Sequence, residues 1–256
     1  MAGRTTRGVL IAAVLAGTLL LPGVAISAPL IAGIGAGPNA GVTSYSSENW
    51  AGYFASGPNG SVTKVSSSWE QPTASCGSGT SYSVFWVGID GATDTTVEQI
   101  GTIIGCSKGV ASYAAWWELY PTNSIQIIKK LTVNPGDSVS ASVTYASGSF
   151  TMAITVAGHS FSKTGAQSAL QNSAECIAER PAHVVDGNIV FYHLAKFSPI
   201  SFVSCTATIS GHARGIGAFS SVGEVTMEDT AGHVLAATSG LNGSKNSFSV
   251  TWKRSS

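Results

Sequence analysis

Ser81-Tyr82-Ser83-Val84-Phe85-Trp86-Val87-Gly88-Ile89-Asp90 keeps a two-residue period. Phe85, Val87 and Ile89 fall on one side of an extended chain, and Trp86 and Asp90 on the other. A helix would scatter the same side chains around its circumference. The stretch Ala115-Trp116-Trp117-Glu118-Leu119-Tyr120 repeats the arrangement, with Trp117 and Leu119 on one face and Trp116, Glu118 and Tyr120 on the opposite one. Each strand thus carries an aromatic and a carboxylate on the face turned away from the core. Solvent-facing strands usually carry Thr, Ser and Lys, so this face is expected to be a substrate groove. A loop laid over the aromatics is the alternative.

Outward from these two strands the same grammar continues. Residues 138–145, 149–157 and 222–228 are further runs rich in Val, Thr, Ser and Ile, each bounded by turn formers. Pro58-Asn59-Gly60, Asn134-Pro135-Gly136-Asp137, Asp186-Gly187-Asn188 and Ala231-Gly232 punctuate them. No segment holds a helical apolar period for three turns, and one turn of helix is expected near residues 168–173. The predicted fold is all-β, an antiparallel two-sheet β-sandwich of the concanavalin or lectin-like jelly-roll kind.

Of 256 residues, 13 are Lys or Arg and 13 Asp or Glu, giving zero formal net charge. Charged residues make up 10%, well below the roughly one quarter of an average soluble domain. With no basic cluster longer than Lys129-Lys130, nucleic acid is excluded as a partner. Few carboxylates also means few groups to protonate, so unfolding is expected to depend only weakly on pH between about 3 and 6.

Arg4 and Arg7 precede an uncharged apolar run from Val9 to Leu21, and a small-residue stretch follows up to Ala28. This is a secretory signal pattern, assigned to residues 1–27. Residues 28–44 read as a short pro-segment or flexible leader, and 45–256 as one sandwich domain. The run falls short of a membrane span, although the second apolar patch up to Ile34 leaves an uncleaved anchor open. No stable membrane association is expected. Four cysteines in an exported chain suit two disulfides, for which three connectivities exist. Cys76 with Cys106 and Cys176 with Cys205 is the preferred pairing. The five histidines lack metal-ligand spacing, so neither a metal nor a cofactor is expected. A monomer is expected.

Removing residues 1–27 leaves 13 acids to search. Ala174-Glu175-Cys176-Ile177-Ala178-Glu179-Arg180-Pro181 holds two of them on one strand face, about 13 Å apart at ~3.3 Å per residue. That is too far to act on one bond as a close pair. Nucleophile elbows and phosphate loops are absent, leaving a carboxylate and an activated water as the economical chemistry.

Five strings, in order, resemble the glutamic peptidases or eqolisins, secreted acid endopeptidases. They are Ser47-Glu48-Asn49-Trp50-Ala51-Gly52, Trp86-Val87-Gly88-Ile89-Asp90-Gly91, Val97-Glu98-Gln99-Ile100-Gly101, Trp116-Trp117-Glu118-Leu119-Tyr120-Pro121, and 174–180. Val225-Thr226-Met227-Glu228-Asp229 resembles the closing hairpin of the family. The resemblance implies a peptidase acting on protein or peptide substrates through a Gln and a Glu from neighbouring strands, carried over to Gln99 and Glu179. Glu179 is chosen because the family acid is the second of its Ala-Glu-Trp-Ile-x-Glu string; Glu175 is the alternative catalytic acid. Trp86, Asp90, Trp116 and Glu118 match groove positions, and Tyr120 opens a segment to about Ile127 that the resemblance makes a flap. Ala114 stands where the family has Asp, Glu98-Gln99-Ile100 where it has Leu-Gln-Thr, and Cys176 where it has Trp. Two other functions suit the aromatic–acid face: a sandwich glycoside hydrolase using Glu118 and Glu179, and a non-catalytic carbohydrate-binding module.

Overall fold

The computed structural model describes residues 31–36, 41–186 and 188–255. The signal pattern at 1–27 lies outside the described residues. In chain order the strands of four or more residues are β1 Ile31–Ala36, β2 Val42–Ser47, β3 Trp50–Ser56, β4 Val62–Glu70, β5 Ser81–Ile89, β6 Val97–Ser107 and β7 Val110–Tyr120. They continue as β8 Asn123–Ile127, β9 Ser138–Ala146, β10 Ser149–Val156, β11 His159–Gly165, β12 Ser173–Glu179, β13 Ala182–Val185 and β14 Asn188–Phe191. The last five are β15 Ile200–Ile209, β16 His212–Gly215, β17 Val222–Glu228, β18 Val234–Thr238 and β19 Phe248–Trp252.

Two layers result. The first sheet runs β1-β2-β17-β3-β12-β5-β6-β7-β8, antiparallel throughout except for the parallel β2–β17 pair. The second runs β16-β15-β4-β9-β10-β11 and is antiparallel. Strands β18 and β19 join the layers at one edge, through β17 on one side and β15 on the other. Of the 28–44 leader, residues 31–36 form β1, the outermost strand of the first sheet.

Period-two alternation decides which side chains meet between the layers. Phe85, Val87 and Ile89 of β5 and Ile100 and Ile104 of β6 pack with Val139 and Val143 of β9, Phe150 and Met152 of β10, and Phe202 of β15. The faces sort as the two opening strands predict, since Leu119 lies in this core and Trp86 and Trp116 do not. One disulfide, Cys176–Cys205, crosses from β12 to β15 and so ties the sheets together; the other joins Cys76 to Cys106 at the end of β6. The helical turn expected at 168–173 does not form. Residues 166–172 are irregular, and the one helical segment among the described residues is a 3₁₀ turn at Ile216–Ala218. The Asp90 carboxylate takes the Gln171 and Asn172 backbone N–H groups that a helix would have used otherwise.

Candidate active site

Cross-strand registers place the site. Glu175, Gly88, Gln99 and Glu118 lie in one row across β12, β5, β6 and β7, with Phe54 of β3 beyond Glu175. The next row is Ile177, Trp86, Gly101 and Trp116, and the one after that starts at Trp50 and Glu179. Gln99 and Glu179 therefore share a face but not an interface. β5 runs between their strands, which corrects the expectation of neighbouring strands.

Trp86 fills the gap that β5 leaves. Its indole Nε1–H donates to Glu179 Oε2 at 2.8 Å. The other end of the ring lies over Gly88, where an added Cβ would come within 2.7 Å of Trp86 Cζ3 and 3.3 Å of the Gln99 Cβ. Glycine at 88 thus leaves room for the indole beside the strand position that carries Gln99. Asn49 Nδ2 donates to Glu179 Oε1 at 3.2 Å, and Ser47 in turn donates to Asn49 Oδ1. Trp50, whose ring meets Trp86 edge-on, is a weaker neighbour of the same carboxyl and its Nε1 has no aligned partner. Gln99 Nε2 donates to Glu118 Oε2 at 2.8 Å. An amide nitrogen carries two hydrogens, so one N–H of Gln99 remains for a reacting group.

Burial dominates the electrostatics. Glu179 is held well above the ordinary carboxylate range, first by loss of water; the Trp86 hydrogen bond opposes this, the Glu118 charge reinforces it, and Asn49 and Trp50 oppose it. Glu175 is also held well above that range by desolvation, with Ser173 opposing and Asp90, Asp94 and Glu98 reinforcing. Neither Glu175 oxygen has an aligned hydrogen-bond donor. Desolvation likewise pushes Asp90 up to about 6 and Glu98 up to about 9. The acids are few, but those on this sheet are buried, and burial rather than number sets the linkage, so a stronger pH dependence than the composition suggests is now expected.

The solvent-facing groove foreseen for this face is covered. Trp86, Asp90, Trp116, Glu118, Gln99 and Glu179 are all fully buried. Trp50, Phe54, Val84, Trp86, Ile103, Trp116, Ile177 and Val225 form a second apolar cluster, against which Ile125 and Ile127 of β8 and Tyr192 pack. The flap segment is accordingly a strand, β8, paired to β7 through Trp116–Ile127 and Trp117–Gln126. Tyr120 is half-buried at its base. Asp90 follows β5 with a φ of 67°, which turns its carboxylate to the 171–172 amides rather than along the Trp86 face. Asn49 and Gln167 had no role in the sequence reading. The signal for Asn49 was its place beside Trp50 in the first matched string; Gln167, in an irregular stretch, offered none.

Residues 48–252 match the family model described as Peptidase A4 family. Aspergillopepsin-2 of Aspergillus niger is 29% identical over 192 residues, covering 66% of this chain and 67% of that protein. Scytalido-glutamic peptidase, solved with a peptide-based transition state analog, superposes with a TM-score of 0.68 at 26% identity, covering 80% of this chain and 98% of the other. Aspergilloglutamic peptidase from Aspergillus niger gives 0.55 at 27% identity, over 68% and 99% of the two chains.

Proposed function

The chain belongs to the Peptidase A4 family and is a glutamic endopeptidase, and from that premise we propose that Gln99 and Glu179 cleave the peptide bond with one activated water. The observation that supports the assignment is the Trp86 indole, whose Nε1–H holds Glu179 and whose ring lies over Gly88, the β5 residue paired with Gln99. Ionised Glu179 takes a proton from the water as its oxygen attacks the scissile carbonyl carbon. The carbonyl oxygen becomes an oxyanion and accepts the free N–H of Gln99, while Glu118 keeps the amide in place by accepting the other. Protonated Glu179 then gives its proton to the leaving amine, and the C–N bond breaks.

The surroundings of Glu179 suit both halves of that cycle. Asn49 and Trp86 donate to the carboxylate that must accept a proton. Burial favours the protonated form that must deliver one. Glu175 faces no such donors, which supports Glu179 as the working acid. A peptide that reaches the dyad must move Ile125 and Ile127 off the aromatic cluster, so substrate binding and flap movement are one event.

We also read the protein as exported and active in mildly acidic solution, with the attacking water, once admitted beside Glu179, restoring part of the solvation its ionised form needs. No described helix is long and apolar enough to cross a membrane, and all four cysteines are paired. Digestion of casein or a peptide from about pH 2 to 7, by the wild type and by Glu179→Gln, tests the proposal. Equal cleavage by both rejects the dyad; no cleavage by the wild type at any pH returns the glycosidase and binding-module readings.

A further inference from the structure

One buried acid lies beside the dyad without belonging to it. Glu98 precedes Gln99 on β6, and alternation sends its side chain to the opposite face, where it is fully buried. Its Oε1 accepts from Gln167 Nε2, and the same nitrogen donates to the Tyr120 carbonyl oxygen at 3.0 Å, at the base of the flap strand. Glu98 Oε2 has no aligned partner, and Asp90, which follows Ile89, the β5 residue paired with Glu98, is its nearest acidic neighbour. Both Asp90 oxygens already accept backbone N–H groups, from Asn172 at 2.7 Å and Gln171 at 2.8 Å. Two carboxyl groups can bond each other only if one keeps its proton, and Asp90, whose oxygens take two amide donors, releases its proton before Glu98 does.

We propose that Glu98 is a positioning residue that stays a neutral acid, donating from Oε2 to Asp90 and accepting at Oε1 from Gln167. The resulting chain runs from the Tyr120 carbonyl through Gln167, Glu98 and Asp90 to the amides of Gln171 and Asn172. It thereby fixes, with respect to one another, the base of the flap, the strand that carries Gln99 and the segment that leads into β12 and Glu179. The inference rests on the peptidase reading above for its kinetic consequence, but the chain of hydrogen bonds does not depend on it. The groups acting on Glu98 are Asp90 just after β5 and Asp94 in the loop after it, while Glu98 itself acts on Glu175 of β12. All are acids, so ionisation of Glu98 would set like charges against each other and release the chain.

Three variants test this. Glu98→Gln keeps an acceptor for Gln167 and an N–H for Asp90, and is expected to stay within about twofold of the wild type in KM. Glu98→Leu and Gln167→Ala each break the chain, and each is expected to raise KM about three- to tenfold with a smaller change in kcat, as loss of one hydrogen bond implies. Because they break the same chain, the double variant is expected to be no worse than the poorer single one. Hydrogen–deuterium exchange over residues 118–128 is expected to speed up in both chain-breaking variants. In the wild type, protection over the same residues, after correction for the intrinsic rise of exchange with pH, is expected to fall as pH rises, a dependence that Glu98→Gln flattens. Exchange needs no activity, so a chain without peptidase activity would reject the peptidase reading and leave this test in force. Unchanged exchange and KM in Gln167→Ala, or Glu98→Gln as damaging as Glu98→Leu, would overturn the proposal. If Glu98→Leu does not fold, Gln167→Ala and Glu98→Gln decide.

Discussion

The outer faces of the two sheets are built on the same alternation and have opposite fates. On the second sheet, Thr206, Ser66, Ser142, Ala153 and Ser162 stand in one register row, and Thr208, Lys64, Thr144, Thr151 and Thr164 in the next. These side chains are half-buried or exposed and bond one another sideways, as in Ser66 with Thr206 and Thr151 with Thr164. On the first sheet the matching rows hold Glu175, Gln99, Glu118, Trp86 and Trp116, all buried. Depressions of about 710 and 660 Å³ open on the second sheet, lined largely by Ser, Thr and Lys side chains and touching neither Gln99 nor Glu179. These two depressions therefore mark the solvated face. We place the chemistry where polar groups have been taken out of water, because only there are proton affinities and hydrogen-bond strengths displaced far from their values in solution.

The largest break in the comparison comes from the dyad. Gln99→Ala is expected to lower kcat by about 10²–10³-fold, as loss of an oxyanion donor does elsewhere, and Glu179→Gln by at least as much. Glu118→Gln should cost less, since it keeps an acceptor oxygen for Gln99; peptide-hydrolysis kinetics check all three. A glycosidase would show the reverse, tolerating Gln99→Ala and failing with Glu118→Gln.

Stability against pH is the second test. The folded forms of Asp90, Glu98, Glu175 and Glu179 bind their protons more tightly than the unfolded chain does. Their contribution is therefore full below about pH 4 and is lost as pH rises, through about 6 for Asp90 and towards 9 for Glu98. A fall on the order of several kcal/mol is expected across that window, read as a lower Tm at pH 8 than at pH 4. A flat profile would mean that water reaches this face after all.

Replacing the inter-sheet pair Cys176 and Cys205 by Ser should cost about 2–4 kcal/mol in chemical denaturation, as for a disulfide closing a loop of this size. The smallest effect belongs to the solvated face. Ser142→Ala should move stability by no more than about 0.5 kcal/mol, and a larger loss would mean that the hydroxyl rows support the sandwich.

Alternation along 81–90 and 115–120 carried the fold class, the core set and the face on which the acids lie, because side-chain direction in a strand is fixed by the backbone itself. The five ordered strings carried the family. Which acids would be dry was not legible. Asp90 leaves its strand face because a positive φ just after β5 and two waiting amides turn it, and those amides belong to residues 81 and 82 positions away in sequence. Nor could spacing reveal that Trp86 would lie between Gln99 and Glu179, since that follows from the order of strands β12, β5 and β6 in the sheet.

By itself, the sequence determined what each strand presents to its two sides. The tertiary structure decided which side is closed over, which strand separates two partners, and hence how tightly each carboxyl holds its proton. The physical reason is one of range: alternation is a property of adjacent peptide units, whereas desolvation is a property of everything packed around a group, most of it distant in the chain.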